Sequence, residues 1–334
     1  MIEMTKGIMA AKIRMAAGKK IVTLKEGKAE GAFEMKEFDA EKVKGKKAVY
    51  IDGIGTYEIT EPEGCGRLYN KIAIVTGSAQ GFGKGIAEVL HAQGAYVVIA
   101  DLNYPLAESV AKELGERAIA VEVNAGDEAS VAAMIEKTAV SFGGLDLFVN
   151  NAGIAKAGGL EEMEVGTFEL VTKINYTAYF LGAKYSSAVM KAQHEVDPSY
   201  MMDIVQVNSK SGLSGSNKNF AYAGSKFGGI GLTESFALEL VPYNIKVNSV
   251  CPGNYYDGPL WSDPERGLFV QYLNAGKVPG AKTVKDVYDF YVSKSPIKRG
   301  CNPPDVAKAI MYCVEQEFET GQAIPVTGGQ IMLK

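Results

Sequence analysis

Histidine is almost absent from this chain: only His91 and His194 occur among 334 residues. A histidine-based catalytic triad or a histidine-rich metal site has little to draw on, and no metal is expected. Cysteine is scarce too. Cys65, Cys251, Cys301 and Cys313 form no Cys-x-x-Cys pair and lie far apart, which suits reduced thiols in a cytoplasm better than a disulfide framework. No run approaches the ~20 apolar residues that a membrane span needs. The first twenty residues scatter basic side chains through their only apolar stretch, so no secretory leader is expected. Charge of one sign is also lacking. The net charge of −4 and the pI near 5.5, with no basic stripe, argue against nucleic acid or an anionic membrane as the main partner and favour a small molecule.

What is present is apolar material. At 47% hydrophobic and 22% charged, the chain can bury a core and does not resemble a disordered one. Its length allows one large or two ordinary domains. A turn-rich segment, Thr60-Glu-Pro-Glu-Gly-Cys-Gly-Arg67, marks a boundary near residue 70. Beyond it, short apolar runs alternate with longer helical patterns: residues 72–77, 95–101, 118–124, 145–153, 203–209, 245–253 and 322–329 read as buried parallel strands. This is the repeating βαβ signal of an α/β, doubly wound parallel sheet with helices on both faces. Residues 1–69 read as a small α+β extension of unknown role, with a helix over 4–17, a strand over 21–24 and two strands around a glycine turn within 46–60.

Chemistry enters at three places. After the first of the seven strands, Gly77, Gly81 and Gly83 let the backbone turn tightly at a helix start, where a pyrophosphate can approach the N–H groups without a Cβ in the way. Asp101 ends the next strand about 20 residues later, positioned to accept hydrogen bonds from ribose hydroxyls. A 2′-phosphate would meet its carboxylate, and Ser78, Ala79 and Gln80 bring no compensating cation, so NAD is expected over NADP. Tyr222 and Lys226 are four apart in a helical stretch and share one face. An ammonium beside the phenol is expected to lower the tyrosine pKa toward the range of a general acid/base.

Taken together, Thr76-Gly77-x-x-x-Gly81-x-Gly83, Asn150-Asn151-Ala152-Gly153, Ser209, Tyr222-x-x-x-Lys226 and Pro252-Gly253 resemble in order and spacing the short-chain dehydrogenase/reductase family, over roughly residues 70–334. The resemblance implies a Rossmann sheet in which Tyr222 moves the proton at the substrate oxygen and Ser209 holds that oxygen. Lys226 would bind the nicotinamide ribose, and Asn175 would support a water relay to the lysine. The cofactor would lie against Gly77, Ala79, Gln80, Gly81, Phe82, Gly83, Asp101, Asn124, Asn151, Ala152, Gly153, Pro252, Gly253 and Tyr255, besides Tyr222 and Lys226. Two positions depart from the family pattern. Asn124 stands where an aspartate is usual, and Asp257 where many members carry a threonine that contacts the carboxamide.

Segments 152–157, 207–212, 225–233, 295–301 and 327–332 resemble the family's bacterial polyol-phosphate dehydrogenases. They imply NAD-linked interconversion of a sugar alcohol phosphate, sorbitol 6-phosphate in the first instance, with its ketose. Another polyol, sugar acid or sugar phosphate is the alternative substrate, and an NADH-sensing regulatory protein the alternative of another class. A sugar phosphate needs cations and hydroxyl partners, for which Lys156, Ser209, Lys210, Asn254 and Trp261 are the candidates. Arg299 reads as one half of a structural ion pair. The segment from about Tyr255 to Val292 would cover the substrate, and the long helices starting near Thr167 and Phe220 imply a dimer or tetramer.

Overall fold

In the computed structural model, residues 4–333 are described, and they divide into a large and a small sheet. The strands of the small sheet are β1 (Ile21–Lys25), β2 (Phe33–Met35), β3 (Ala48–Ile51) and β4 (Gly55–Thr60). Those of the large sheet are β5 (Ile72–Thr76), β6 (Tyr96–Asp101), β7 (Ala118–Glu122), β8 (Leu147–Asn150), β9 (Met202–Val207), β10 (Ile245–Pro252) and β11 (Ala323–Val326). The large sheet runs β11-β10-β9-β8-β5-β6-β7, with every neighbouring pair parallel. All seven strand readings fall on these elements.

The strand sequences explain why both faces carry helices. In β5, Ile72 and Ile74 enter one core, with Ile135 and Phe142 of helix Glu128–Phe142 and Tyr179 and Val189 of helix Ala178–His194. Ala73 and Val75 enter the other, with Ile86 and Leu90 of helix Gly81–Ala92 and Val306 and Ile310 of helix Pro303–Glu315. Side chains alternate faces along a strand, so an unbroken β-branched run is stable only where both faces are covered. Strand order reverses between β5 and β8. That switch point opens a crevice at the carboxyl ends of the strands, where Thr76, Asp101, Asn150, Val207 and Pro252 terminate them and where ligands bind in open α/β sheets.

The N-terminal residues form helix Thr5–Ala16 and the sheet β1-β4-β3-β2, with a core of Ile13, Val22, Val49, Tyr57 and Ile59. Two elements here escape the sequence reading: β2, paired parallel to β3, and the single turn Ala40–Val43, capped by Asp39. The extension is fastened at the amino-terminal ends of the central strands β5 and β8, opposite the crevice. Arg14 and Asp146, both fully buried, form an ion pair at 2.9 Å, with Asp146 just before β8. Met4, Ala11 and Ile21 join the same core as Ile72 and Ile135. No helix among the described residues is long and apolar enough to cross a membrane.

Candidate active site

The turn after β5 depends on glycine at two points. Gly77 has φ +64°, and a Cβ there would lie 2.9 Å from the Ala152 Cα, while a Cβ on Gly83 would collide with the Gly77 carbonyl. Asn151 stitches the neighbouring loop to this turn, its Nδ2 donating to the carbonyls of Thr76 at 2.8 Å and Gly77 at 3.1 Å. Helix Gly81–Ala92 begins here with no side-chain cap from Gln80 and no acid in its first turn. Its positive end therefore meets the crevice without a competing carboxylate. Asp101 accepts the N–H groups of Ala79 at 2.9 Å and Asn103 at 3.0 Å, and an ionised carboxylate retains lone pairs beyond these for a ligand. A glycine-lined turn, an open helix start and a strand-end acid together fit the pyrophosphate and ribose of a dinucleotide.

The second cluster comes from β9 and the helix Phe220–Leu240. Ser209 follows β9, and its Oγ accepts the Ser211 N–H at 3.1 Å. Lys226 is 4% exposed, its Nζ donating to the Val207 carbonyl at 3.0 Å and lying 5.6 Å from the Tyr222 ring centre. Burial pushes this lysine down to about 8. The phenol of Tyr222 is raised above its ordinary value by burial, with Ser209 pulling it back through a hydrogen bond and Cys251 adding a small rise. Here the structure differs from the expectation that Lys226 lowers the phenol. The ammonium is turned to Val207, burial disfavours the phenolate, and the opposing group is the Ser209 hydroxyl.

Asn175 lies one layer behind the cleft. It sits at the centre of a wider π-helical turn, Lys173–Thr177, a local irregularity often found at functional sites. Its Oδ1 accepts the Ile154 N–H at 2.8 Å, and its Nδ2 donates to the Ile154 carbonyl at 2.9 Å and Ser225 Oγ at 3.2 Å. Asn175 and Lys226 both reach the space beside Gly153.

Above the crevice sits a lid made of the helices Pro259–Ser262, Leu268–Asn274 and Val284–Ser293. It has its own core, in which Trp261 meets Phe269 at 4.9 Å, Tyr291 at 5.1 Å and Tyr256 at 5.4 Å between ring centres. Tilted and edge-on aromatic contacts of this kind add attraction beyond the area they bury and bind the three helices into one cap.

One cleft gathers most of the candidates: Gly77, Gln80, Gly81, Phe82, Gly83, Asp101, Asn124, Asn151, Ala152, Gly153, Lys156, Ser209, Lys210, Tyr222, Lys226, Pro252, Gly253, Asn254, Tyr255 and Trp261 all line it. Ala79 lies just outside, bonded to Asp101. Asn124 spends its amide oxygen on the Gly126 N–H at 3.1 Å. Lys156 lines the cleft but is exposed. Asn254 is buried and donates to the Tyr256 hydroxyl at 3.2 Å. Asp257 is exposed on the lid. Arg299 pairs with Asp305 at 2.6 Å, away from the cleft. Lys277, which the sequence reading passed over, also lines the cleft; it stands in the lid, far along the chain from the catalytic motifs, and no local motif marks it.

The family of short chain dehydrogenases matches residues 71–261. This chain is a short chain dehydrogenase. As a member of that family it is an oxidoreductase acting on CH–OH groups, and it takes a nicotinamide cofactor. It is 37% identical over 270 residues to the sorbitol-6-phosphate 2-dehydrogenase of Escherichia coli K12, covering 79% of this chain and 99% of that protein. It is 32% identical to the trans-4-hydroxycyclohexanecarboxylate dehydrogenase of Sinomonas cyclohexanicum, over 79% of this chain and 94% of that one. The solved structure of sorbitol-6-phosphate 2-dehydrogenase from Erwinia amylovora superposes with a TM-score of 0.71 at 36% identity, covering 78% of this dehydrogenase and all of that chain.

Proposed function

We propose that this dehydrogenase oxidises a sugar alcohol phosphate with NAD, sorbitol 6-phosphate to fructose 6-phosphate, and runs the reverse reduction. The observation that carries the chemistry is the meeting of Ser209, Tyr222 and Lys226 in one cleft with Asp101 and the glycine turn. The choice of substrate is supported by the likeness to two sorbitol-6-phosphate dehydrogenases.

The nicotinamide, when bound, supplies the hydride acceptor. Everything else falls to the chain. Ser209 donates to the carbinol oxygen and fixes it against Tyr222. The Tyr222 phenolate takes the hydroxyl proton as the carbon is oxidised. Lys226, anchored by Val207, presents its ammonium to the nicotinamide ribose and to the proton path, and Asn175 holds the loop around Gly153 in which a water can relay that proton. The lid excludes bulk water from the reacting carbon. An NADH absorbance assay across a panel of polyols and their phosphates tests the reading; turnover of sorbitol 6-phosphate no better than of sorbitol would reject the phosphorylated substrate.

A pH effect follows from the Ser209 contact. Oxidation needs the phenolate, so its kcat/KM should climb as pH rises. Ser209→Ala removes the hydrogen bond that pulls the phenol down, so the ascending limb should move to higher pH. At neutral pH the rate should fall roughly 10²- to 10³-fold; an unshifted profile would take Ser209 out of the proton step.

Asp101 supports NAD over NADP, because a 2′-phosphate would sit against its carboxylate. Asp101→Arg should raise the kcat/KM ratio of NADP over NAD by at least about tenfold, measured with both cofactors at one substrate concentration. Residues 70–334 would be the dehydrogenase domain and 1–69 a separate extension. A homo-oligomer is supported by large apolar side chains left exposed on the long helices, among them Phe168, Phe180, Phe227 and Leu238. Four unpaired thiols suit a reducing cytoplasm.

A further inference from the structure

At the substrate end of the cleft two lysines stand without an acid. Lys210 and Lys277 both line it, together with Ser216, and both are half-buried. Lys277 donates to Ser216 Oγ at 3.4 Å and lies 3.9 Å from the centre of the Tyr272 ring, which walls it on one side. Among the described residues neither lysine forms an ion pair with a carboxylate, unlike Lys28, Lys42, Lys112, Lys184 and Lys285 on the outer surface. Asp263 of the lid also lines the cleft but turns one oxygen back to its own chain, accepting the N–H groups of Glu265 at 2.9 Å and Arg266 at 2.7 Å.

The energetics of that arrangement are unfavourable as it stands. Burial pushes Lys210 down to about 8, with the exposed Lys294 adding to the effect. Burial pushes Lys277 down to about 8 as well, with Lys210 adding to it. Like charges drawn together and partly desolvated cost free energy unless an anion neutralises them. The pyrophosphate of a dinucleotide is not that anion, since the glycine turn follows β5 and Lys210 follows β9, with β8 between them in the sheet.

We propose that Lys210 and Lys277, with the Ser216 hydroxyl, form a phosphate-dianion site that takes the phosphate of the substrate. The proposal rests on the sugar alcohol phosphate reading above and deepens it. Lys210 comes from the strand side of the cleft and Lys277 from the lid, so a phosphate held by both would tie the lid down over the carbon that reacts. Two ammonium groups supply charge and several donors to one dianion. The aromatic wall of Tyr272 keeps water from one side of Lys277, which strengthens the pairing.

The test uses the full-length protein saturated with NADH, so that the dinucleotide site is filled. Inorganic phosphate is titrated into it by calorimetry, and KM for sorbitol 6-phosphate is measured beside it. Lys277→Met and Lys210→Met should each weaken phosphate binding and raise that KM roughly 10- to 100-fold, with NADH affinity unchanged. Lys277→Arg keeps the charge and should recover most of the loss, which separates a lost cation from a misfolded lid. Phosphate affinity and KM unchanged in both methionine variants would overturn the site. If phosphate binding depends on both lysines but the wild-type enzyme oxidises sorbitol as well as its 6-phosphate, the site stands as one for a free phosphate anion. In that case it is the sugar alcohol phosphate reading that falls.

Discussion

Tyr222→Phe should lower turnover roughly 10³- to 10⁴-fold while NADH binds with nearly its original affinity. The substitution removes one oxygen and leaves the ring in place. Lys226 does not depend on that oxygen, since its Nζ is anchored to the Val207 carbonyl at 3.0 Å and meets Tyr222 only through the ring. The glycine turn and Asp101, which would hold the other end of the dinucleotide, belong to different strands and touch neither residue. Binding and proton transfer should therefore separate cleanly: fluorescence titration with NADH unchanged, the absorbance assay silent. Turnover that survives would remove Tyr222 from the reaction, and loss of NADH binding would make it a cofactor-positioning group instead. The reverse reduction should fail equally, because the same oxygen must return the proton.

The parallel sheet was legible because its strands are buried on both faces. Runs such as Ile72-Ala73-Ile74-Val75 and Tyr96-Val97-Val98-Ile99 have no polar alternation to confuse with a surface strand, and Gly77 and Asp101 follow these two closely. β2 was not legible: three residues, Phe33 to Met35, carry too little pattern to mark a strand, and its partner β3 lies beyond an intervening turn. The site divides in the same way. Gly77, Asp101, Ser209, Tyr222 and Lys226 announce themselves by local spacing. Lys277 does not, since what places it beside Lys210 is the packing of Trp261, Tyr272 and Tyr291 in the lid. The direction of the Tyr222 shift was also beyond the sequence, because helical spacing gives the neighbour but not where its Nζ points. Arg14 is the largest omission. In the helix Thr5–Ala16 it reads as a surface charge, and only its fully buried state shows that the helix is covered at that point as well.

That burial makes Arg14 the residue on which the extension depends. Its Nη1 and Nη2 donate to the two oxygens of Asp146 at 3.0 and 2.9 Å, and Nη2 also reaches the Asn70 carbonyl at 2.9 Å. Asp146 further accepts the Ile72 N–H at 2.8 Å and Gln193 Nε2 at 3.2 Å. One side chain of the extension thus completes a network that fixes the starts of β5 and β8. Burial alone would raise the Asp146 pKa, but Arg14, Lys71 and the Ile72 N–H outweigh it and hold the carboxyl below its ordinary 3.8. Arg14→Met leaves that carboxylate buried without its guanidinium, which costs about 3–5 kcal/mol when one partner of a buried pair is removed. The melting temperature should fall roughly 5–10 °C by calorimetry. Asp146 stabilises the wild-type fold above its ordinary pKa, and that contribution is lost as pH falls through the depressed folded value. In the variant burial pushes the pKa up, so the cost is relieved on protonation, and the two melting temperatures should converge as pH falls from about 7 toward about 4. Adding Asp146→Leu should restore part of the stability, because an apolar pair leaves no charge stranded. Since this network lies at the amino-terminal ends of the strands, away from the cleft at their carboxyl ends, kcat at moderate temperature should not change in Arg14→Met. Deleting residues 1–69 should do more, exposing the core face on which Ala11 and Ile21 pack and costing the enzyme its folded state. A truncated chain that stays folded and active would show instead that the pair and its covering helix are dispensable to the dehydrogenase.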